Sequence, residues 1–176
     1  MNLLKFHNKI KGYTQNRQPG IEADMEPKPI AELEEYKAAG KLENKVALIT
    51  GGDSGIGRAI AILYAKEGAN VAIGYYDEHQ DAEDTVNRLQ EMGVKAKAYA
   101  HDLKDEKQSQ KLIKDVINDF GSLNILVNNG GVQFPRDHFE DITPQQVKET
   151  FMTNIFGMMF LSQAAVPYLS EGCLLY

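Results

Sequence analysis

The sequence has 176 residues, a net charge of −6, 43% apolar residues and 25% charged residues. This length allows one domain with a real core and is too short for two ordinary domains. The composition is typical of a globular protein, so disorder of the whole chain is excluded. The acidic balance, without a local basic patch, argues against nucleic acid as a partner.

Hydropathy and cysteine content narrow the class further. Residues 1–11 lack the apolar stretch of about 7 to 15 residues that a signal peptide needs, and no later run approaches the ~18 apolar residues of a membrane span. We therefore expect neither export nor a membrane partner. Cys173 is the only cysteine, which rules out an intrachain disulfide and fits a cytoplasmic location.

The histidines have no metal-ligand spacing, so no metal is expected. We interpret them as surface or locally hydrogen-bonding residues. They are His7, His79, His101 and His138.

The first 44 residues differ from the rest of the chain. They contain Pro19, Pro27 and Pro29, and seven basic residues balance seven acidic ones. Such a proline-rich segment should be extended or mobile, so residues 1–44 are predicted to be an N-terminal arm with a helix only at Ile30–Ala39. Residues 45–176 are predicted to form the single folded domain.

From residue 45 onward, short β-branched runs alternate with segments of helical period, which is typical of parallel βαβ units. A capping-box signature at Thr143, followed by Pro144 at the first helical position, opens a long helix that reaches about Leu169. The sequence thus predicts an α/β fold built on a parallel sheet. The other predicted elements are strands at 46–49, 71–75, 97–100 and 124–127, and helices at about 56–67, 81–92 and 112–120.

A glycine-rich turn directly follows the first strand, with Gly51, Gly55 and Gly57 separated by three residues and then one. Gly51 permits a sharp exit from the strand, Gly55 lets backbone approach a pyrophosphate, and Gly57 lets helix and strand pack closely. Free N–H groups and the positive end of the helix dipole would then face phosphates. The whole turn reads Thr50, Gly51, Gly52, Asp53, Ser54, Gly55, Ile56, Gly57.

Three other interpretations of this turn were considered. A P-loop would need Lys and then Ser or Thr where Arg58 and Ala59 stand, so NTPase chemistry is excluded. The ordinary dinucleotide pattern G-x-G-x-x-G does not fit either, because the spacing here is G-x-x-x-G-x-G. A tight strand-to-helix turn without a ligand stays open for the motif by itself.

The pattern Thr-Gly-x-x-x-Gly-x-Gly resembles that of the short-chain dehydrogenase/reductase family, and three later matches follow in the family's order. Asp102, before Leu103, stands where the family holds the adenine. The run from Asn128 through Asn129 and Gly130 to Gly131 resembles the family's Asn-Asn-Ala-Gly beside the adenosine ribose, with glycine replacing alanine. Asn154 falls where the family keeps its catalytic asparagine.

The resemblance covers residues 45 to about 172 and implies a Rossmann-like doubly wound parallel sheet, here its first four to five strands. By themselves, Asp102 could cap a helix and Asn154 could be a buried hydrogen-bonding residue. The arm segment 16–20 and the turn 77–79 further resemble the family's bacterial general-stress branch. The resemblance also implies a nicotinamide dinucleotide, an alcohol or carbonyl substrate, and a homo-oligomer, a tetramer, for the intact protein.

The end of the second strand should discriminate between NAD and NADP, because a carboxylate there binds the ribose hydroxyls and a basic residue binds the 2′-phosphate. Tyr75 and Tyr76 occupy the deciding positions, and the first carboxylate, Asp77, comes one or two places late. Ser54 stands where many NADP-dependent members carry a basic residue. NAD and NADP both stay open, with NAD favoured.

In this family, hydride transfer needs a serine and a tyrosine followed by lysine at the fourth position. None of the eight tyrosines has that lysine; Tyr13 comes closest, with Arg17, but it lies in the arm. We therefore expect an incomplete oxidoreductase chain without turnover of its own. The alternative is a non-catalytic nucleotide-binding or interaction protein that has lost its reductase half.

Two features are left with alternatives. The long helix is apolar on more than one face, which fits either core burial or a subunit interface. The last residues, 173–176, could begin a fifth strand or be an aberrant end. The fourth strand is expected to be left as an unpaired sheet edge with apolar neighbours, which predicts poor solubility or self-association.

Overall fold

The computed structural model describes residues 24–25, 29–33, 35–170 and 172–175. Within this part of the chain, five parallel strands form one sheet in the order β3-β2-β1-β4-β5. The strands are β1 Val46–Thr50, β2 Asn70–Tyr75, β3 Ala96–Ala100, β4 Ile125–Val127 and β5 Leu174–Leu175. The helices are α1 Gly55–Lys66, α2 His79–Glu91, α3 Glu106–Phe120, α4 Pro144–Phe151 and α5 Met158–Ala165.

Helices cover both faces of the sheet, and β1 shows why. Its residues are all buried, and alternate side chains point to opposite faces. Ala47 and Ile49 pack with α1 and α2 residues in one core cluster. Val46 and Leu48 pack with α3 and α5 residues in the other. The predicted doubly wound α/β fold is confirmed, and the predicted bounds of these strands and of the first two helices differ from the observed ones by one or two residues.

Side-chain and glycine signals set the helix ends. Asp105 caps α3 by accepting hydrogen bonds from the amides of Lys107 and Gln108, and Gly121 ends that helix in the left-handed conformation. Asp102 is therefore not the cap of α3. The predicted capping box at the start of α4 is present between Thr143 and Gln146.

The predicted single helix from Thr143 to Leu169 is interrupted. After α4, residues Met152–Gly157 form a π-helical segment, α5 follows, and Val166–Tyr168 is a 3₁₀ turn. A Cβ on Gly157 would lie 2.7 Å from the carbonyl oxygen of Leu103. The widened turn thus brings backbone of this helix against the loop after β3, a contact that helical periodicity does not reveal.

The fourth strand is not a sheet edge, contrary to the expectation for a chain without a fifth strand. Leu174 and Leu175 form β5 and pair in parallel with Ile125 and Leu126. Of the two alternatives for the chain's last residues, the structure supports the strand; Tyr176 lies outside the described residues. An unpaired edge at β4 is therefore not a cause of poor solubility or self-association in this chain.

The opposite edge of the sheet, β3, carries charge. Lys97 on β3 forms an ion pair with Asp119 at 2.6 Å, and the hydroxyl of Tyr99 donates to the same carboxylate at 2.7 Å. Burial and this neighbouring carboxylate raise the pKa of Tyr99. Charged side chains on an edge strand oppose the addition of further strands.

The described residues within the predicted arm helix, 30–33 and 35–39, pack against the domain and are not helical. Residues 30–33 and 35–39 form no helix, so that prediction is wrong for the described residues. The buried carboxylate of Glu67, after α1, accepts hydrogen bonds from the Tyr36 hydroxyl and from the amides of Ala39, at 3.1 Å, and Lys41, at 2.8 Å. Because these two backbone amides donate to the carboxylate of Glu67, they do not donate to carbonyls of a helix within the arm.

A second acidic residue attaches the arm to both helices of this face. Glu32 accepts hydrogen bonds from the Arg88 guanidinium on α2 at 2.8 to 3.1 Å and forms an ion pair with Lys66 of α1 at 2.9 Å. Lys66 also donates to the carbonyl of Leu33. Hydrogen bonds from Lys66 and then Arg88 lower the pKa of Glu32. The remainder of the arm, 1–23, 26–28 and 34, lies outside the described residues.

Among the described residues, no helix has the length and apolar character needed to cross a bilayer.

We expect Glu67→Gln to reduce the free energy of unfolding at neutral pH, because it removes the charge that three donors of the arm share. The hydrogen bond from Tyr36, followed by that from Lys41, lowers the pKa of Glu67 below its ordinary value of 4.5. The stabilisation should therefore be fully present above about pH 4.5 and disappear as the pH falls through the lowered pKa. Urea unfolding of both proteins between about pH 3 and pH 7 measures this.

The matched control is Glu83→Gln, an exposed position on α2. A stability difference for Glu67→Gln that grows towards acidic pH would contradict this role of Glu67.

Candidate functional site

A cavity of about 440 Å³ opens at the carboxyl edge of the sheet. It lies where the chain reverses its winding direction, since β1 leads to β2 and β3 on one side and β4 extends the sheet on the other. Open α/β sheets bind ligands at such a switch point, and the volume is in the range of cofactor sites. The turn after β1, the ends of β2 and β3, the loop after β4 and the α4 region line this cleft.

The glycine-rich turn has the close contacts that its spacing predicts. A Cβ on Gly57 would lie 1.9 Å from the carbonyl oxygen of Gly51, so only glycine fits at this helix position. Gly55 begins α1 with a φ of +53° and faces open space. Ser54 precedes it with no side-chain cap, and Ser54, Gly55 and Ile56 bring the N-terminus of α1 to the wall of the cleft.

The loop after β4 is tied to the end of β1. The Thr50 hydroxyl accepts hydrogen bonds from the amides of Asn129, at 3.0 Å, and Gly130, at 2.9 Å. The Asn129 side chain donates back to the carbonyls of Thr50, at 2.9 Å, and Gly51, at 3.2 Å. Thr50 itself is buried, so its role is to hold the two strand ends together beneath the cleft.

Gly130, in place of the family's alanine, has a packing reason. A Cβ there would lie 3.0 Å from Leu103 Cδ1 and 3.2 Å from the Thr50 side chain. The space of the missing methyl is therefore largely taken by Leu103 and Thr50.

At the end of β2, Tyr75 and Tyr76 line the cleft as predicted, whereas Asp77 does not. Glu78, one position later, is 8% exposed and does line it. The Tyr75 hydroxyl shares a hydrogen bond with His79 Nδ1 at 2.8 Å. The carboxylate nearest to the cleft in this loop is thus one residue later than the sequence indicates.

The loop after β3 contributes Asp102 and Leu103 to the cleft, together with Lys104. Lys104 bridges Asp102, at 3.8 Å, and Glu149 of α4, at 3.1 Å. The hydrogen bond with Glu149 raises the pKa of Lys104, and Lys104 lowers that of Glu149. This bridge joins two walls of the cleft, and the sequence pattern did not reveal it because the partners are 45 residues apart.

Asn154 lies in the π-helical segment, half-buried, and holds the loop after β4. Its Oδ1 accepts from the Val132 amide and its Nδ2 donates to the Val132 carbonyl, both at 2.8 Å. The interpretation as a hydrogen-bonding residue therefore fits. Asn154 does not itself line the cleft, but Val132 and Thr153 do, so it can position residues that face a ligand.

His101 departs from the interpretation as a surface or locally hydrogen-bonding residue. It is 7% exposed and lines the cleft, and neither ring nitrogen has a hydrogen-bond partner in the described part of the chain. Burial lowers its pKa. Its position directly before Asp102 was the only available signal. Of the other histidines, His79 bonds with Tyr75, His138 is exposed, and His7 lies outside the described residues.

The cleft brings together twelve of the predicted site residues: Gly51, Asp53, Ser54, Gly55, Ile56, Tyr75, Tyr76, Asp102, Leu103, Asn129, Gly130 and Gly131. Five others lie outside its lining: Thr50, Gly57, Asp77, Asn128 and Asn154. Eight lining residues were not predicted: Gly74, Glu78, His101, Lys104, Val132, Phe134, Glu149 and Thr153. No group of three or more potential metal ligands occurs among the residues that the structure describes.

Comparison with known proteins was made for sequence and for structure. General stress protein 39 of Bacillus subtilis is 46% identical over 170 residues, which are 97% of this chain and 59% of that protein. Glucose and ribitol dehydrogenase of Daucus carota is 40% identical over 166 residues, 90% of this chain and 56% of that protein. The chain therefore spans little more than half the length of these relatives.

Among solved structures, a short chain dehydrogenase from Burkholderia cenocepacia J2315 in complex with NADP superimposes with a TM-score of 0.74 at 36% identity. The match covers 77% of this chain and 55% of that one. The sequence model of the family described as short chain dehydrogenase matches residues 45–173. The matched residues include strands β1 to β4 and the whole lining of the cleft, and this chain belongs to the short-chain dehydrogenase family.

Proposed function

We propose that the chain carries the nicotinamide-dinucleotide half of an oxidoreductase that transfers hydride between the cofactor and an alcohol or carbonyl substrate. The observation that carries this proposal is the close approach of Gly57 to the Gly51 carbonyl, which places the glycine-rich backbone at the start of α1 beside the cleft. A bound nicotinamide would supply hydride chemistry there. Relatives that are dehydrogenases by name support the same reaction class.

In this proposal, the chain's residues bind and orient the cofactor. The glycine turn, residues 50 to 57, would hold the pyrophosphate, Asp102 and Leu103 the adenine, and the segment 128–131 the adenosine ribose. Asn154 is proposed as the catalytic asparagine, and its two hydrogen bonds to Val132 would keep the loop beside the reacting ring in place. The side-chain amide of Asn128 donates to the hydroxyl of Ser162 at 3.2 Å. This hydrogen bond would fix the segment 128–131 to α5.

We further propose NAD as the preferred cofactor. Four carboxylates line the cleft, those of Asp53, Glu78, Asp102 and Glu149. The one lysine among its described lining residues, Lys104, is already bridged to the last two. An added 2′-phosphate would raise the negative charge near these groups. Tyr75, Tyr76 and Asp77 supply no positive charge at the end of β2. The Burkholderia relative was solved with NADP, so this preference is specific to the present chain.

For the intact protein, we propose a cytoplasmic homo-oligomer, a tetramer as the resemblance implies. Apolar side chains of the α4–α5 region are exposed on the side opposite its buried stripe of Thr153, Gly157, Leu161 and Ala165. The exposed ones include Phe151, Ile155, Phe156 and Met159. An exposed apolar face of this kind fits the subunit-interface alternative for the helix.

The first prediction concerns binding. Gly57→Ala should abolish NADH binding, because the added Cβ collides with the Gly51 carbonyl and displaces the turn. Titration of reduced-nicotinamide fluorescence measures it. Gly93→Ala is the control: it has a φ of +84°, so it carries backbone strain, but its Cβ meets nothing within 4 Å and it lies outside the cleft. Equal loss in both variants would contradict a specific role of the turn.

The second prediction concerns the cofactor. NADH should bind about 10-fold more tightly than NADPH, a difference of about 1.4 kcal/mol. Ser54→Arg should narrow or reverse this ratio, because it places a cation at the cleft beside α1. The same charge at the exposed position Asn87 on α2 should leave the ratio unchanged. NADPH binding as tight as that of NADH in the unmodified chain would overturn the preference and leave dinucleotide binding intact.

The third prediction concerns turnover. Because none of its tyrosines has lysine at the fourth following position, the 176-residue chain should not oxidise NADH or NADPH with any aldehyde or ketone. Absorbance of the reduced nicotinamide reports the reaction, with Gly57→Ala as the background. Activity above that background would refute this part of the proposal. Tight binding without turnover would also be compatible with the non-catalytic nucleotide-binding alternative.

A further inference from the structure

His101 is a buried polar residue at the wall of the cleft to which the proposed function assigns no role. It directly follows β3, and its amide donates to the carbonyl of Tyr75 at 2.9 Å. The ring lies against β2, where a Cβ on Gly74 would be 2.6 Å from its Cε1 and 3.1 Å from its Nδ1. Strand pairing and this close contact together hold the ring in place, with 7% of the residue exposed.

The ring nitrogens lack hydrogen-bond partners among the residues that the structure describes. Neither Nδ1 nor Nε2 makes a hydrogen bond, although both are buried. The carbonyl of Tyr99 and the carboxylate of Asp102 lie near enough to oppose the lowering of the pKa that burial causes, but neither forms an aligned hydrogen bond with the ring. A buried polar group left in this state destabilises the folded protein. Buried polar groups without partners are rare in folded proteins and point to a missing partner.

The surroundings indicate what kind of partner would fit. A neutral imidazole offers one donor and one acceptor, and the cleft around it is lined with carboxylates, Asp102 and Glu78 among them. A neutral ligand edge that both donates and accepts suits this wall better than an anion does. Tyr76, from the end of β2, lines the same cleft, whereas Asn154 acts on the loop after β4.

We propose that a ring nitrogen of His101 hydrogen-bonds the adenosine part of the bound dinucleotide, at the adenine or its ribose. This inference rests on the proposed function and adds a specificity residue to it. Gly74 is the matching position, because any larger residue there would push the ring out of its place.

Two substitutions test the role, with ADP-ribose as the probe and isothermal titration calorimetry as the measurement. His101→Leu should weaken ADP-ribose binding about 3- to 10-fold, as expected for the loss of one hydrogen bond. His101→Gln, which keeps a donor and an acceptor, should recover part of the affinity. His138→Leu, at an exposed position outside the cleft, should bind like the unmodified chain.

Thermal unfolding without ligand separates this role from a structural one. If His101 only supported the fold, His101→Leu would lower both the melting temperature and the affinity. If it awaits a ligand, replacing an unsatisfied polar ring with an apolar side chain should leave the melting temperature unchanged or raised while the affinity falls. Should His101→Leu fail to fold, Gly74→Ala provides the second variant, because it displaces the ring without changing its chemistry and should also weaken binding.

NMR of the chain labelled at the histidine Cε1 atoms gives a direct readout. AMP should shift the His101 signal in a saturable way and leave the His138 signal in place. If the unmodified chain binds ADP-ribose but His101→Leu and Gly74→Ala bind it equally well, this inference is wrong and the proposed function stands. If the unmodified chain binds neither ADP-ribose nor NADH, both are overturned.

Discussion

The hydroxyl of Thr50 is the point on which the functional end of the molecule depends. It accepts hydrogen bonds from the backbone amides of Asn129 and Gly130, and it donates one to the carbonyl oxygen of Val127, with 3.4 Å between the two oxygens. Each such hydrogen bond contributes about 1 kcal/mol net, and an unpaired buried hydroxyl would cost more. Because the donors belong to the loop after β4 and the acceptor to the last residue of β1, the two strand ends cannot separate without leaving the buried Thr50 hydroxyl without these two hydrogen bonds.

The cleft follows from this tie. The side chain of Asn129 fixes the carbonyls of Thr50 and Gly51, and the Gly51 carbonyl is the atom against which Gly57 packs. The first turn of α1 is thereby placed relative to β4, although the two are far apart in sequence. The second support comes from the long helix, where Asn154 holds Val132. A ligand in the cleft would meet backbone that is held from both sides before it arrives, which reduces the cost of ordering on binding.

Local patterns allowed much of the fold and part of the site to be predicted. Strand alternation, the capping box at Thr143 and the glycine that ends α3 act over a few residues, so they are legible in the sequence. The glycine turn is equally local. The bridge from Lys104 to Glu149 and the burial of His101 depend on which distant segments meet, and no short pattern encodes them.

In the arm, the local pattern predicted a helix that does not form. Residues 30–39 have helical composition, yet tertiary partners decide their conformation. The carboxylate of Glu67 accepts hydrogen bonds from the backbone amides of Ala39 and Lys41, and Glu32 forms ion pairs with side chains of α1 and α2. Helix propensity contributes little free energy per residue, and a few charge-assisted hydrogen bonds to the folded domain outweigh it.

The π-helical segment also determines which way the side chains of α5 point around the helix axis. An α-helix advances by about 100° per residue, so one extra residue in a turn rotates all later side chains by that angle relative to an uninterrupted helix. With the extra residue, Gly157 faces the Leu103 backbone, and Leu161 and Ala165 face the core. If the same residues formed an uninterrupted α-helix, Gly157 would turn away from Leu103 and a bulkier side chain would take its place. The widened turn is therefore as necessary for this contact as the glycine itself.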